Sequence, residues 1–305
     1  MRSAISALLL LGACGSLSNE DVAFLVAVPQ KGSLHVQVPQ ASAGQTVCLI
    51  GTADVWLSAK TTGNQLNTFI DDILGMVDFI RAVPPTNRDV DSRTWGPWPD
   101  EKHPGVQFRF VMVRLLDASG VPWSWEYVLE GRLGRGAFLP VLSGVFYGAQ
   151  AVKGVGKLVI QFDNAATLGL NSDPNLKFPA WIYYDLSSDP RTVSFDLSSK
   201  PLGQGLLGFD YFYAGYADGH GRFDYAFPTD NGCIVEVTTK YTADGMGKGH
   251  IHFTCGGGIL RGDVDQCWDQ SACLTYVNDA FEFTPACKGI RPCILGNPGR
   301  CPAVP

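Results

Sequence analysis

His250 and His252 are the pair in this chain whose type and spacing come closest to metal chemistry. Alternate residues of a strand share a face and stand ~7 Å apart at Cα, so two imidazoles there could grip one ion. Asp218, His220 or Asp244 would have to supply the third ligand, and no spacing compels any of them to do so. Histidines on a solvated strand face are the commoner explanation, and no metal is expected. Glu126 and Glu130 beside Trp123 and Trp125 suggest a glycan site with two carboxylates and a stacking ring. Four residues of strand would separate the carboxylates by ~13 Å, however, beyond the ~5 to 9.5 Å that glycosidase pairs use. The chain has no G-x-S-x-G elbow, no H-E-x-x-H and no Walker loop, and Arg261-Gly262-Asp263 is too short a match to an adhesion tripeptide to carry weight. These residues name no reaction, so the expectation is a non-enzymatic protein without a cofactor.

Aromatic density is the remaining chemical resource. Trp95, Trp98, Trp123, Trp125, Trp181, Tyr183, Tyr211 and Tyr213 should mostly fill a core. Where the surrounding elements leave a gap, the same rings would line an apolar pocket with polar groups at its mouth. Trp95, Trp98, Trp123, Trp125, Tyr183, Tyr211 and Tyr213 are therefore the candidate ligand-binding residues.

The elements that must position them are one helix and many strands. Between about Thr52 and Val83, Leu66, Phe69, Ile70, Ile73, Val77 and Ile80 recur at three- and four-residue steps, so they share a helix face. Leu74, Met76 and Phe79 widen that face, and Pro84-Pro85 ends the helix. After Trp95 the period changes to two. Phe108, Phe110 and Met112 share a face, as do Trp123, Trp125, Tyr127 and Leu129, then Leu158, Ile160 and Phe162, then Val193, Phe195 and Leu197, then Phe223, Tyr225 and Phe227. Turn residues such as Asp117-Ala118-Ser119-Gly120 and Ser188-Asp189-Pro190 separate these runs about every ten residues. The expected fold is mainly β (α+β): an antiparallel meander of about ten or eleven strands, curved or incompletely barrelled around the helix of residues 52 to 82. A transmembrane β-barrel has the same alternation but little use for so apolar an internal helix.

A weak repeat, Lys153-Gly154-Val155-Gly156-Lys157, Asp218-Gly219-His220-Gly221-Arg222 and Asp244-Gly245-Met246-Gly247-Lys248, is expected to form hairpin turns. A phosphate cradle would need a helix after each loop, whereas strands follow these.

At the N-terminus, Arg2 precedes an apolar run that closes on Leu11-Gly12-Ala13-Cys14. This resembles the signal of bacterial lipoproteins, which implies removal of residues 1–13 and lipidation of Cys14. Gly15 in place of Asp implies outer-membrane anchoring, periplasmic or surface facing, if the enterobacterial sorting rule applies. Residues 14–32 read as a tether, 33–255 as the helix and β domain, and 256–305 as a Cys/Pro/Gly-rich tail.

Eight further cysteines in an exported chain are expected to form disulfides. Cys233 and Cys255 lie eleven residues either side of Asp244, so a hairpin turning there sets them opposite each other on adjacent strands, and they are expected to be bonded. The other six, Cys48, Cys267, Cys273, Cys287, Cys293 and Cys301, allow fifteen pairings. A net charge of −6 without a Lys/Arg cluster excludes nucleic acid as an expected partner. Partners are instead expected to be the membrane, through the N-terminal lipid, an apolar ligand, and envelope proteins.

Trp95-Gly96-Pro97-Trp98-Pro99-Asp100, Tyr127-Val128-Leu129-Glu130-Gly131-Arg132 and Cys267-Trp268-Asp269 together resemble a group of predicted lipoproteins found in myxobacteria. The resemblance implies a lipid-anchored protein and transfers no functional residue beyond Cys14. The cysteines Cys287, Cys293 and Cys301 depart from that group's pattern. The inferred architecture is also similar to lipoprotein carriers that shelter acyl chains, a likeness of fold that does not fix function. The leading expectation is a lipid-anchored envelope protein that binds or carries an apolar, lipid-like ligand. The alternatives are a solidly packed structural or protein-interaction lipoprotein and a glycan-binding one.

Overall fold

A computed structural model describes residues 17–41, 47–150, 153–171, 178–199 and 207–304. Cys14 and the expected signal lie outside the described residues. One antiparallel sheet of fifteen strands runs in strict chain order. Its strands are β1 (Asn87–Arg88), β2 (Ser92–Pro99), β3 (Val106–Leu116), β4 (Pro122–Leu133), β5 (Leu139–Gln150), β6 (Lys153–Ile160), β7 (Ala180–Asp185) and β8 (Arg191–Ser199), followed by β9 (Leu207–Gly215), β10 (Gly221–Pro228), β11 (Ile234–Tyr241), β12 (Gly247–Cys255), β13 (Leu260–Trp268), β14 (Leu274–Asp279) and β15 (Cys293–Gly296). Among the described residues β1 and β15 do not pair, so the sheet is open. In such a meander alternate hairpins lie at opposite ends of the sheet. The β1–β2, β3–β4, β9–β10 and β13–β14 turns occupy one end; the β2–β3, β6–β7, β8–β9 and β10–β11 connections occupy the other.

Recurring turn chemistry fixes this path. In Asp117–Gly120 and Thr242–Gly245 the glycine amide donates to the carbonyl three residues back, at 3.0 Å in both, and the glycine φ is 80° and 88°. Only glycine takes that conformation without steric cost. The second glycine of each repeat has a different task. Gly156, Gly221 and Gly247 stand directly opposite Tyr184, Tyr241 and Trp268 in register, and a Cβ added there would lie 2.2, 2.5 and 2.3 Å from those side chains. The rings fold over bare backbone, filling the inner face where the glycines leave it empty. The first repeat, expected to be a turn, is the start of β6: Gly154 and Gly156 face Phe146 and Tyr184.

The fifteen strands exceed the ten or eleven expected, with additions at both ends of the sheet. The expected tail of residues 256–305 contributes β13, β14 and β15 to the same sheet. Its alternation was hidden by Gln266, an inward-facing polar residue that is buried and accepts the Val55 amide hydrogen at 3.1 Å. Residues 14–32, expected to be a tether, contain helix α1 (Asn19–Leu25), whose Phe24 and Leu25 join the core together with Ala27 and Val28. Ser18 starts this helix as a capping box with Asp21.

Helix α2 (Asp54–Asp78) continues into a 3-10 turn, Phe79–Ala82. Its apolar face, including Leu66, Ile70, Ile73, Leu74 and Val77, joins one core with the inward residues of the strands. Contacts run from one side of the sheet to the other. Phe79 packs on Trp98 of β2 at 4.0 Å between centroids, Phe69 on Phe195 of β8 at 5.6 Å, and Ser58 bonds Tyr225 of β10 at 2.6 Å.

Four disulfides join Cys48 to Cys273, Cys233 to Cys255, Cys267 to Cys301 and Cys287 to Cys293. The β11–β12 register, with Ile234 opposite Thr254, sets Cys233 against Cys255. Such a set suits an extracytoplasmic, oxidising compartment. No helix among the described residues is long and apolar enough to cross a membrane.

Candidate functional site

The inner faces of β8, β9 and β10 carry aromatic side chains in two ranks. Phe195, Tyr211 and Tyr225 stand side by side across the three strands, and Leu197 stands opposite Phe209 one step nearer the β8–β9 end. The deeper rank is filled: the Phe195 and Tyr211 rings stack at 5.6 Å, and Tyr225 meets Ser58 of α2. At the outer rank helix and sheet diverge, leaving a cavity of about 520 Å³. This volume falls within the range of small-molecule sites, ~300–1,000 Å³.

The cavity is lined by Ser58, Thr62, Gln65, Leu66 and Phe69 of α2, Phe195 and Leu197 of β8, Phe209 of β9 and Phe227 of β10, with Phe162 of the short helix α3 (Phe162–Thr167). Seven of the ten lining residues are Leu or Phe, and the other three contribute no ionisable group. On α2, Ser58, Thr62 and Gln65 fall at i, i+4 and i+7, so the helix presents one neutral polar stripe to an otherwise apolar chamber. Gln65 is exposed and marks the mouth, whereas Leu66 and Phe195 are buried. Burial pushes the Tyr225 phenol up to about 12, against the opposing hydrogen bonds of Ser58 and Thr62, and it also pushes up Tyr211. Both stay neutral at physiological pH. The Tyr211 hydroxyl has no hydrogen-bond partner among the described residues.

The aromatic residues singled out from sequence are dispersed. Trp95 is fully buried and donates its indole N–H to the Val83 carbonyl at 3.1 Å. Trp98 is half-buried against Phe79, and Trp125 is buried edge-on to Phe24 at 5.0 Å. Tyr213 is buried beside Gln37, and Tyr183 is exposed under Lys157. Only Tyr211 sits next to the cavity, and none of the seven is among its lining residues. Trp123 does not share a face with Trp125. A bulge sets Leu115 opposite Ser124 but Leu116 opposite Pro122, so Trp123 is the extra residue and turns outward onto Tyr147. The lining residues that a list of Trp and Tyr misses, Phe69, Phe195, Leu197 and Phe227, were nonetheless readable as the helix face and strand faces that must meet.

The other constellations resolve into local hydrogen-bonded pairs. His250 and His252 sit opposite Asp265 and Asp263 across β12 and β13, each pair at 2.8 Å, and His250 also approaches Asp263 at 3.3 Å. These partners hold Asp263 below the ordinary carboxylate range, chiefly through the His252 hydrogen bond. Asp218 and Asp244 are turn residues, bonded to His220 and to Thr242 and Gln270. Among the described residues no group of three or more such side chains could hold a metal. Glu130 is paired with Arg109, which separates it in role as well as in space from the exposed Glu126.

No family model matches the chain, and no curated protein or solved structure matches it.

Proposed function

We propose that this is a non-enzymatic, lipid-anchored protein of the bacterial cell envelope, attached through Cys14 to the outer membrane, that binds or carries an apolar, lipid-like ligand. In this reading the sheet curves as an incomplete barrel around α2, and the cavity between α2 and β8–β10 is the ligand chamber. The observation that carries it is that cavity: about 520 Å³ of apolar space with a neutral polar stripe on one wall. Desolvating apolar surface supplies roughly 25 cal/mol per Å², so a greasy ligand needs little else to be held. A wall without Asp, Glu, His, Lys or Cys suits retention better than acid–base or nucleophilic chemistry. The lipobox-like Leu11-Gly12-Ala13-Cys14 and the four disulfides support the envelope location.

Titration with a fluorescent apolar probe, 1-anilinonaphthalene-8-sulfonate or a pyrene-labelled acyl chain, tests the assignment. Gln65→Trp places an indole at the mouth from an exposed helix position, so the fold should survive while probe affinity falls about tenfold or more. Undiminished binding by a folded Gln65→Trp variant would place the ligand elsewhere.

A further inference from the structure

The end of the sheet that carries the β1–β2 and β3–β4 turns exposes apolar side chains that neither the core nor the cavity uses. Leu116 and Val121 (56% exposed) flank the Asp117–Gly120 turn of the β3–β4 hairpin, and Trp123 (50% exposed), near the start of β4, packs on Tyr147 of β5 at 5.6 Å. Val90, 79% exposed, caps the β1–β2 turn, and its carbonyl accepts a hydrogen bond from Arg114 at 2.9 Å. The same Arg114 binds Glu20 of α1 at 2.7 Å, which brings the exposed Val22 of that helix to this end. Helix α1, which follows Cys14 in sequence, therefore lies at this end of the sheet. Ser18 starts α1 only four residues after Cys14, a span of at most about 14 Å for extended chain.

From this we infer that Val22, Val90, Leu116, Val121, Trp123 and Tyr147 form a membrane-docking surface that seats against the bilayer holding the lipid anchor. The inference rests on the assignment of Cys14 as the anchor. A tether this short leaves the patch within reach of the lipid headgroups, where an indole and a phenol are at their most favourable depth. Charge selects the lipid. The local arginines are already engaged, Arg88 and Arg93 by Asp21 and Arg114 by Glu20 and Asp91; Asp117 lies in the β3–β4 turn itself and Asp185, Asp218, Asp244 and Asp269 at or beside the other turns of this end, outnumbering the exposed Lys153 of the β5–β6 turn. The surface is thus matched to zwitterionic lipid and gains nothing from anionic lipid. Seated this way, the chamber lined by Leu197, Phe209 and Phe227 opens at the end remote from the bilayer.

The test uses the full chain carrying Cys14→Ser, which cannot be lipidated, and co-sedimentation with phosphatidylcholine vesicles. The expected result is measurable partitioning that falls about tenfold or more in Val121→Ser/Trp123→Ser, two exposed substitutions whose fold is checked by circular dichroism. Added phosphatidylglycerol should not strengthen it. Equal partitioning of the double variant, no partitioning of the parent, or binding that grows with anionic lipid would overturn the docking surface. Intact-mass measurement of the unaltered chain extracted from membranes reads the anchor separately. An unmodified Cys14 would defeat the anchor assignment, whatever the vesicles show.

Discussion

Asp21 is fully buried and receives hydrogen bonds from the Ser18 amide at 2.9 Å, from Arg93 at 2.8 Å and from Arg88 at 3.1 to 3.3 Å. Burial alone would raise its carboxyl, but the bonds from Arg88, Ser18 and Arg93 outweigh burial and hold it well below the ordinary value of 3.8. A carboxyl depressed on folding contributes stability that is complete above pH 3.8 and is lost as pH falls toward the folded value. The stability of the parent chain should therefore drop more steeply below about pH 4 than that of Asp21→Asn. Asp21→Ala, which strands the buried Arg93, should cost about 3–5 kcal/mol in urea unfolding at neutral pH. A loss below 1 kcal/mol would mean that α1 is held by Phe24 and Leu25 alone. In sequence only the Ser18-x-x-Asp21 capping spacing marked this residue, and its arginine partners lie 67 and 72 positions away. Trp123 failed for a related reason: a single bulge turned it outward, and strict alternation has no means of announcing a bulge.

Elements were more legible than residues. The three- and four-residue periodicity of Leu66, Ile70, Ile73 and Val77 marks the face of α2 that is buried, and period two marks the inward residues of β3, β8 and β10. Short amphipathic segments were not legible: α1 is seven residues long, too short for periodicity to separate it from a tether. In β13 a buried Gln266 stands where an apolar residue would have revealed the strand, since it hydrogen-bonds the first turn of α2. That junction is held covalently as well. Cys48 and Cys273 join the segment before α2 to the β13–β14 turn, where the Ala53 amide also donates to the Ala272 carbonyl at 2.9 Å. A link closing so long a loop restricts the unfolded chain most, so Cys48→Ala/Cys273→Ala should lower stability by about 2–5 kcal/mol in denaturant unfolding. An unchanged midpoint would mean that the polar contacts at Gln266 and Ala53 suffice.

For the whole molecule, the consequence of a helix running beneath a meander is a core that is dense at one place and open at another. Rings fold over glycines at Gly156, Gly221 and Gly247 and close the inner face there, whereas between α2 and the outer rank of β8–β10 the phenylalanines face a gap. In the proposed reading this solvent-open apolar cleft of about 520 Å³ is where an apolar ligand would sit. The cavity and helix α1 lie at opposite ends of the sheet, so under the proposed anchoring through Cys14 an apolar ligand would be held away from the membrane. Native mass spectrometry with organic extraction, on the full chain carrying Cys14→Ser and purified without detergent, tests this most directly. A stoichiometric apolar adduct that is absent from Gln65→Trp is the predicted result. A clean apo mass that takes up none of the lipids offered would contradict it.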